Sequence, residues 1–261
     1  LEARNAYYAG LELSDDAAEA FAEVSKLLKD THIERPRYSP RRHVYPWVDL
    51  QPDLKLRSIY SDLVFDPEEF IREDFGISRE RALRVQELIL TESTRKIEDL
   101  EAEIDLLEAQ LPYNCEHVVP QSWFRKREPM RGDLHHLFAC ESRCNSFRGN
   151  RAYFDFPDFE EAMRDDCGKL MENRFEPEAG KGAIARAALY FLLRYPGEID
   201  DDQGEFDLDR LPLLVDWHKG HPVTEYEKHR NLAIFEKQGN RNPLIDFPEW
   251  IDVLDFRLGF G

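Results

Sequence analysis

The chain has 261 residues, 42% of them hydrophobic and 12% aromatic, with a formal net charge of −18 at pH 7. That length accommodates one large domain or two small ones around a sizeable core, and the composition excludes a disordered chain. No window approaches the roughly 18 to 20 apolar residues of a membrane span, so a soluble protein with no membrane partner is expected.

The first residue is Leu1, and no basic segment followed by an apolar run opens the chain. The sequence is therefore expected to begin inside a longer precursor, with a removed signal peptide left open. Ser14-Asp15-Asp16 followed by Ala17 to Leu28 predicts a capped amphipathic helix with Phe21, Val24, Leu27 and Leu28 on one face. Residues 32–53 carry Pro36, Pro40, Pro46 and Pro52 and are expected to be extended or looped. Arg35, Arg37, Arg41 and Arg42 alternate there with Tyr38, Tyr45 and Trp47. Such a mixture suits tracking of a sugar-phosphate strand; the favoured reading is an irregular segment whose aromatics anchor the core. Leu56 to Val64 reads as a strand.

From Ser78 to Leu111 the pattern is that of one long helix. Leu83, Leu90, Ile97, Ile104 and Leu111 recur every seven residues, with Leu100 and Leu107 at the alternate seam positions. About 33 residues at 1.5 Å each would span roughly 50 Å. This arm must bury its seam against the body, against residues 66–77, or against a second copy in a homodimer. Further helices are expected at about 180–194, 209–218, 222–237 and 247–255, giving an α+β chain that is mostly helical around a small β element.

The chemistry concentrates at residues 113–151. Glu116 and His117 lie in a short apolar stretch, Leu134 to Phe138 form a second with His135 and His136, and a polar, Arg-rich segment headed by Asn145 follows. The expected order is strand, strand, helix. Neighbouring side chains point to opposite faces of a regular strand, so Glu116 and His117 share a site only where the strand ends or bends, and Pro120 places an end nearby. A neutral His suits water activation near pH 7. A hard cation such as Mg²⁺ takes oxygen ligands and keeps several waters, so Glu116 and the Asn145 amide suffice to hold it. The competing use of these residues is a zinc site on His117, His135 and His136. Residues 116–151 hold seven basic and four acidic side chains, a balance of +3, whereas residues 66–108 hold six basic and fourteen acidic, a balance of −8. An acidic body with a basic cleft still binds phosphates.

Cys115, Cys140, Cys144 and Cys167 form an even set. Two disulfides, a structural Zn²⁺ on all four thiolates, and buried free thiols fit equally well.

The chain resembles the endonuclease I family, bacterial nucleases with a ββα-metal (His-Me finger) core. The likeness is carried by Glu116-His117-Val118-Val119-Pro120-Gln121-Ser122, Asp133-Leu134-His135-His136-Leu137, Asn145 and Arg148-Gly149-Asn150. It extends to Tyr7-Tyr8-Ala9-Gly10, Ile59-Tyr60-Ser61, Lys181 to Ala187, Arg194-Tyr195, Gln238 to Pro243 and Ile245-Asp246. The resemblance implies a single domain over 1–261, with 113–151 as catalytic core and 66–111 as an acidic helical insertion. It implies a secreted or periplasmic endonuclease that hydrolyses DNA, and often RNA, with little sequence preference and a 5′-phosphate product. By that likeness His117 is the general base and Glu116 and Asn145 bind one divalent cation, Mg²⁺ first, with Mn²⁺ or Ca²⁺ as alternates. Arg148 and Arg241 are its candidates for phosphate contact. The reading from a different class is a nucleic-acid-binding or interaction module that keeps this scaffold without turnover.

Overall fold

The computed structural model describes residues 2–91, 97–158, 161–200 and 208–260. In chain order its elements are α1 (Glu2–Tyr8), α2 (Ala17–Thr31), α3 (Pro40–His43), β1 (Leu56–Arg57), β2 (Val64–Phe65), α4 (Pro67–Thr91), α5 (Ile97–Gln110), β3 (Cys115–His117), β4 (Leu137–Ala139) and α6 (Ser142–Arg148). There follow β5 (Ala152–Tyr153), β6 (Met163–Asp165), β7 (Gly168–Met171), β8 (Arg174–Pro177), α7 (Lys181–Arg194), α8 (Leu211–Gly220), α9 (Glu225–Gln238) and α10 (Pro243–Asp246). The architecture is α+β. Among the described residues, no helix is long and apolar enough to cross a membrane.

The organising element is α7, in which every residue except Lys181 and Ala183 is buried. A helix apolar on all sides must sit at the centre of a domain. α2 and α8 pack against it, as does the turn at Leu134–His136. α2 follows the sequence closely: the Asp16 carboxylate accepts from the Ala18 and Glu19 amides, and Ala20, Phe21, Val24 and Leu28 face the core. A second apolar cluster gathers Val44, Tyr45, Val48, Leu56, Phe70, Leu134, Leu137 and Ala139. The β3–β4 hairpin runs between the two clusters. Phe138 points into the first, and Cys115, Leu137 and Ala139 into the second. This antiparallel pair, in register Glu116↔Phe138 and His117↔Leu137, is thus packed on both faces.

Buried ion pairs tie the remaining helices to this frame. Arg186 of α7 donates from Nε and Nη2 to Glu227 of α9 at 2.6 and 3.0 Å. Arg230, one turn along α9, pairs with Asp49 and donates to the carbonyls of Leu134 and Leu137. Asp49 in turn accepts from the Ala139 amide at 2.6 Å. The strand next to β3 is therefore clamped by charge-assisted bonds as well as by packing.

Several expectations are corrected. The proline-rich stretch is partly helical: Pro40 opens α3, where its missing N–H costs nothing, and Val44–Val48 form one π-helical turn. Within it Tyr45 is buried and Trp47 is half exposed. The expected strand over 56–64 is two short strands, β1 and β2, folded into a hairpin. The single 50 Å arm is two helices, α4 and α5, that pack together; residues 92–96, across which the long helix was expected, lie outside the described residues. Arg81 of α4 donates from Nε to the Leu111 carbonyl just past α5 at 2.9 Å, although about 30 residues of continuous helix would hold them roughly 45 Å apart. Leu107 is buried, whereas Leu83 and Leu90 are exposed. The expected helix at 247–255 is a 3₁₀ segment, Pro248–Asp252.

The four-stranded sheet β5-β8-β7-β6 has no counterpart in the sequence reading. Its tight turn depends on Gly168, at φ +132°, where a Cβ would lie 2.0 Å from the Glu176 carbonyl oxygen.

Candidate active site

β3 is only three residues long and ends at His117. That termination lets two adjacent side chains, Glu116 and His117, face the same cleft. The cleft encloses about 530 Å³ and is also lined by Tyr38, Glu108, Lys126, Arg131, Asn145 and Arg148. α6 packs on β3 and supplies Asn145. The second His-bearing stretch is a 3₁₀ turn, Leu134–His136, that enters β4, so only Leu137–Ala139 is strand. α6 begins at Ser142, which places Asn145 in mid-helix and not at its head.

His117 is held at one ring nitrogen. Its Nε2 lies 2.9 Å from the Arg131 carbonyl oxygen, which can only accept, so Nε2 carries the proton and Nδ1 keeps its lone pair. Burial, reinforced by His136, Arg131 and Arg148, pushes the imidazole well below its ordinary value. The ring is neutral at pH 7. Tyr38 packs 4.6 Å from it and His136 5.3 Å from it, edge-on.

Glu116 is buried and its two oxygens differ. Oε1 accepts from Tyr60 OH and from Arg148 Nη1, each at 2.8 Å. Oε2 accepts no hydrogen bond among the described residues. Burial pushes the carboxyl up to about 7, against the opposing influence of Arg148 and Tyr60. Asn145 donates from Nδ2 to the Cys115 carbonyl at 3.0 Å, which turns Oδ1 away from that bond as the amide's acceptor. The cleft therefore presents two oxygen donors, one of them a carboxylate, from β3 and α6. That donor chemistry fits a hard divalent cation that keeps most of its water.

Of the two arginines expected to contact phosphate, the structure brings only Arg148 to the cleft. It is buried, paired with Glu116, and also donates to the carbonyls of His117 and Val118 at 3.3 and 3.1 Å. Its guanidinium thus fastens α6 to the end of β3. Arg241 is not among the cleft residues; it makes a bidentate pair with Asp246, both bonds 2.7 Å.

The three histidines do not converge as zinc ligands. Nε2 of His117, His135 and His136 each faces a different backbone carbonyl, those of Arg131, Asn240 and Met130. The four-cysteine zinc site is likewise ruled out, because Cys144 and Cys167 form a disulfide while Cys115 and Cys140 are buried thiols. Cys140 and Cys144 do not share a helix either, since α6 begins only at Ser142, after Cys140. Glu141 approaches the two bonded sulfurs, which as a disulfide offer no thiolate to a metal.

Sequence reasoning assigned no role to several groups that support the site. Tyr60 and Tyr153, whose hydroxyls lie 2.8 Å apart, form a bonded pair behind Glu116. The Arg131 carbonyl and the Glu108 carboxylate also escaped it. A backbone oxygen has no residue type to search for, and Glu108 is one of fourteen acidic residues in a run.

A carboxylate, an imidazole and an amide thus line one cleft of this α+β fold. The chain belongs to the Endonuclease I family, whose model matches residues 103–249, more than half of its length. It is similar to an extracellular ribonuclease of Bacillus amyloliquefaciens, 35% identical over 157 residues that cover 54% of this chain and 53% of that protein. An extracellular deoxyribonuclease of Aeromonas hydrophila is 32% identical over 124 residues, covering 45% of this chain and 50% of that protein. Endonuclease-1 of Buchnera aphidicola subsp. Baizongia pistaciae is 31% identical over 121 residues, covering 43% and 45%. The chain spans about half the length of the curated relatives it matches.

Proposed function

We propose that the chain is a metal-dependent endonuclease that hydrolyses phosphodiester bonds of DNA, and of RNA as well, with little sequence preference. The observation that carries this reading is the bond from His117 Nε2 to the Arg131 carbonyl, in a cleft shared with Glu116 and Asn145. That bond leaves Nδ1 as the one basic ring atom of a neutral imidazole. His117 Nδ1 accepts a proton from the attacking water, and the imidazolium so formed keeps its Nε2–H on a carbonyl oxygen that stabilises the positive charge. Glu116 through Oε2 and Asn145 through Oδ1 would hold the cation, Mg²⁺ in the first instance. When bound, that ion supplies Lewis-acid neutralisation of the charge that builds on the phosphate oxygens. Arg148 keeps Glu116 oriented, and its charge adjoins the same phosphate.

The relatives' names supply both sugars, ribonuclease and deoxyribonuclease, which supports action on either nucleic acid. Two are called extracellular and another, also from Aeromonas hydrophila, periplasmic. These names support an exported enzyme, as does the Cys144–Cys167 disulfide. We read residues 113–151 as the ββα-metal core, β3, β4 and α6, and residues 66–111 as the inserted arm.

Plasmid nicking with and without EDTA tests the activity. Cleavage is expected with Mg²⁺ or Mn²⁺, lost on chelation and greatly slowed in His117→Ala. Cleavage that survives both changes would remove the site; a folded chain that binds DNA without cutting it under any cation would favour the inactive module.

A further inference from the structure

Among the described residues, the carboxylate of Glu108, on the last turn of α5, is the only acidic group besides Glu116 that lines the cleft. It is met there by two cations from the segment between β3 and β4. Arg131 donates from Nη2 to both Glu108 oxygens, at 3.1 and 3.0 Å, and Lys126 Nζ lies 3.1 Å from Oε2. Burial opposes its ionisation, but Arg131 and Lys126 hold the carboxyl below its ordinary value. Arg81 holds the helix end in place: it donates to the Glu108 and Leu111 carbonyls, and its Nη1 is 3.8 Å from Glu108 Oε1.

Arg131 is also the residue whose carbonyl orients His117, so this charge cluster adjoins the proposed base. Its guanidinium lies over the Tyr38 ring at 5.5 Å, and Tyr38 in turn packs on His117. Guanidinium and ammonium groups placed around one carboxylate are equally suited to a phosphodiester, which carries the same single charge on two exposed oxygens.

We propose that Lys126 and Arg131 form a binding subsite for a backbone phosphate of a polynucleotide beside the scissile one, and that Glu108 occupies this subsite in the free protein. The helical arm is then a built-in competitor. Substrate must displace a carboxylate that Arg131 and Lys126 already neutralise, and weakly bound anions are kept out. This inference rests on the nuclease reading for the identity of its ligand.

The test is binding of a fluorescently labelled 16-nucleotide DNA strand in EDTA, where cleavage does not intervene. Glu108→Gln, which keeps the shape and removes the charge, is expected to bind about 3- to 10-fold more tightly than the wild type. The gain is expected to disappear in Glu108→Gln combined with Lys126→Gln. Should Glu108→Gln lose its cooperative thermal transition, Glu108→Asp, which keeps the charge but withdraws it, is expected to give a smaller gain of the same sign. A folded Glu108→Gln, or in its place a folded Glu108→Asp, that binds no more tightly than wild type overturns the proposal, as does a gain that persists without Lys126. Those outcomes leave nicking by the wild type untouched. Conversely, absence of metal-dependent nicking would sink the nuclease reading while the binding gain still stood.

Discussion

Arg148 and Glu116 form a buried ion pair, 2.8 Å from Nη1 to Oε1, in which the arginine comes from the end of α6 and the carboxylate from the middle of β3. The pair joins the element that carries Asn145 to the strand that carries Glu116 and His117. It makes Arg148 first a fastening of the site. Removing one member of such a pair strands the other charge away from water, at a cost of about 3 to 5 kcal/mol. Arg148→Ala is therefore expected to lower the unfolding free energy by about that amount, measured by denaturant titration. A variant of wild-type stability would show that the guanidinium is free to serve phosphate alone.

Arg241 is expected to behave differently at the active site. Its fork is spent on Asp246, which also accepts from Tyr8 OH at 3.0 Å, and all three lie outside the cleft. Arg241→Gln should cost about 3 kcal/mol of stability and leave kcat and KM of the folded enzyme within twofold. A selective rise in KM for polynucleotide would restore it as a phosphate contact.

The pH dependence should follow Glu116 and not His117. Burial raises the Glu116 carboxyl to about 7, above the ordinary carboxylate range, so below that pH the group holds a proton that a cation must displace. Cation affinity should fall roughly tenfold per pH unit as the pH drops below about 7. The imidazole, pushed well below its ordinary value, stays neutral across that interval. The acid limb of the pH–rate profile should accordingly move to lower pH when the Mn²⁺ concentration is raised. A limb that ignores cation concentration would point to the histidine instead.

Reduction should loosen the fold without dismantling the site. Cys144 on α6 and Cys167 before β7 are 23 residues apart, a loop whose closure is worth about 3 kcal/mol. Cys144→Ser with Cys167→Ser should lose stability of that order in chemical denaturation. Unchanged stability would mean that packing alone fixes α6.

Local signals made α2, α7, α8 and α9 legible in the sequence, because in each a cap or an apolar face coincides with helical spacing. Thr224 and Glu227, for example, close a capping box at the start of α9. The arm misled for a related reason. A seven-residue repeat reports which face is apolar and is silent on whether the helix runs unbroken, so two packed helices kept the pattern of one. The β5–β8 sheet was illegible because its strands are two to four residues long and β6 is exposed throughout, leaving no alternation to detect. At the site, Glu116 and His117 were legible as neighbours near a strand end. Glu108 was not, since its partners lie 18 and 23 residues away and only the fold brings them together.

The central claim divides labour among three side chains: Glu116 and Asn145 hold one ion, and His117 holds none. Titration of Mn²⁺ into wild type, Asn145→Ala and His117→Ala, with nicking rates measured on the same samples, tests this directly. One ion per chain is expected in wild type and in His117→Ala with similar affinity, and weaker binding in Asn145→Ala, while His117→Ala cleaves about 10² to 10⁴ times more slowly. Mn²⁺ binding that is lost with His117, or unaffected by Asn145, would contradict it.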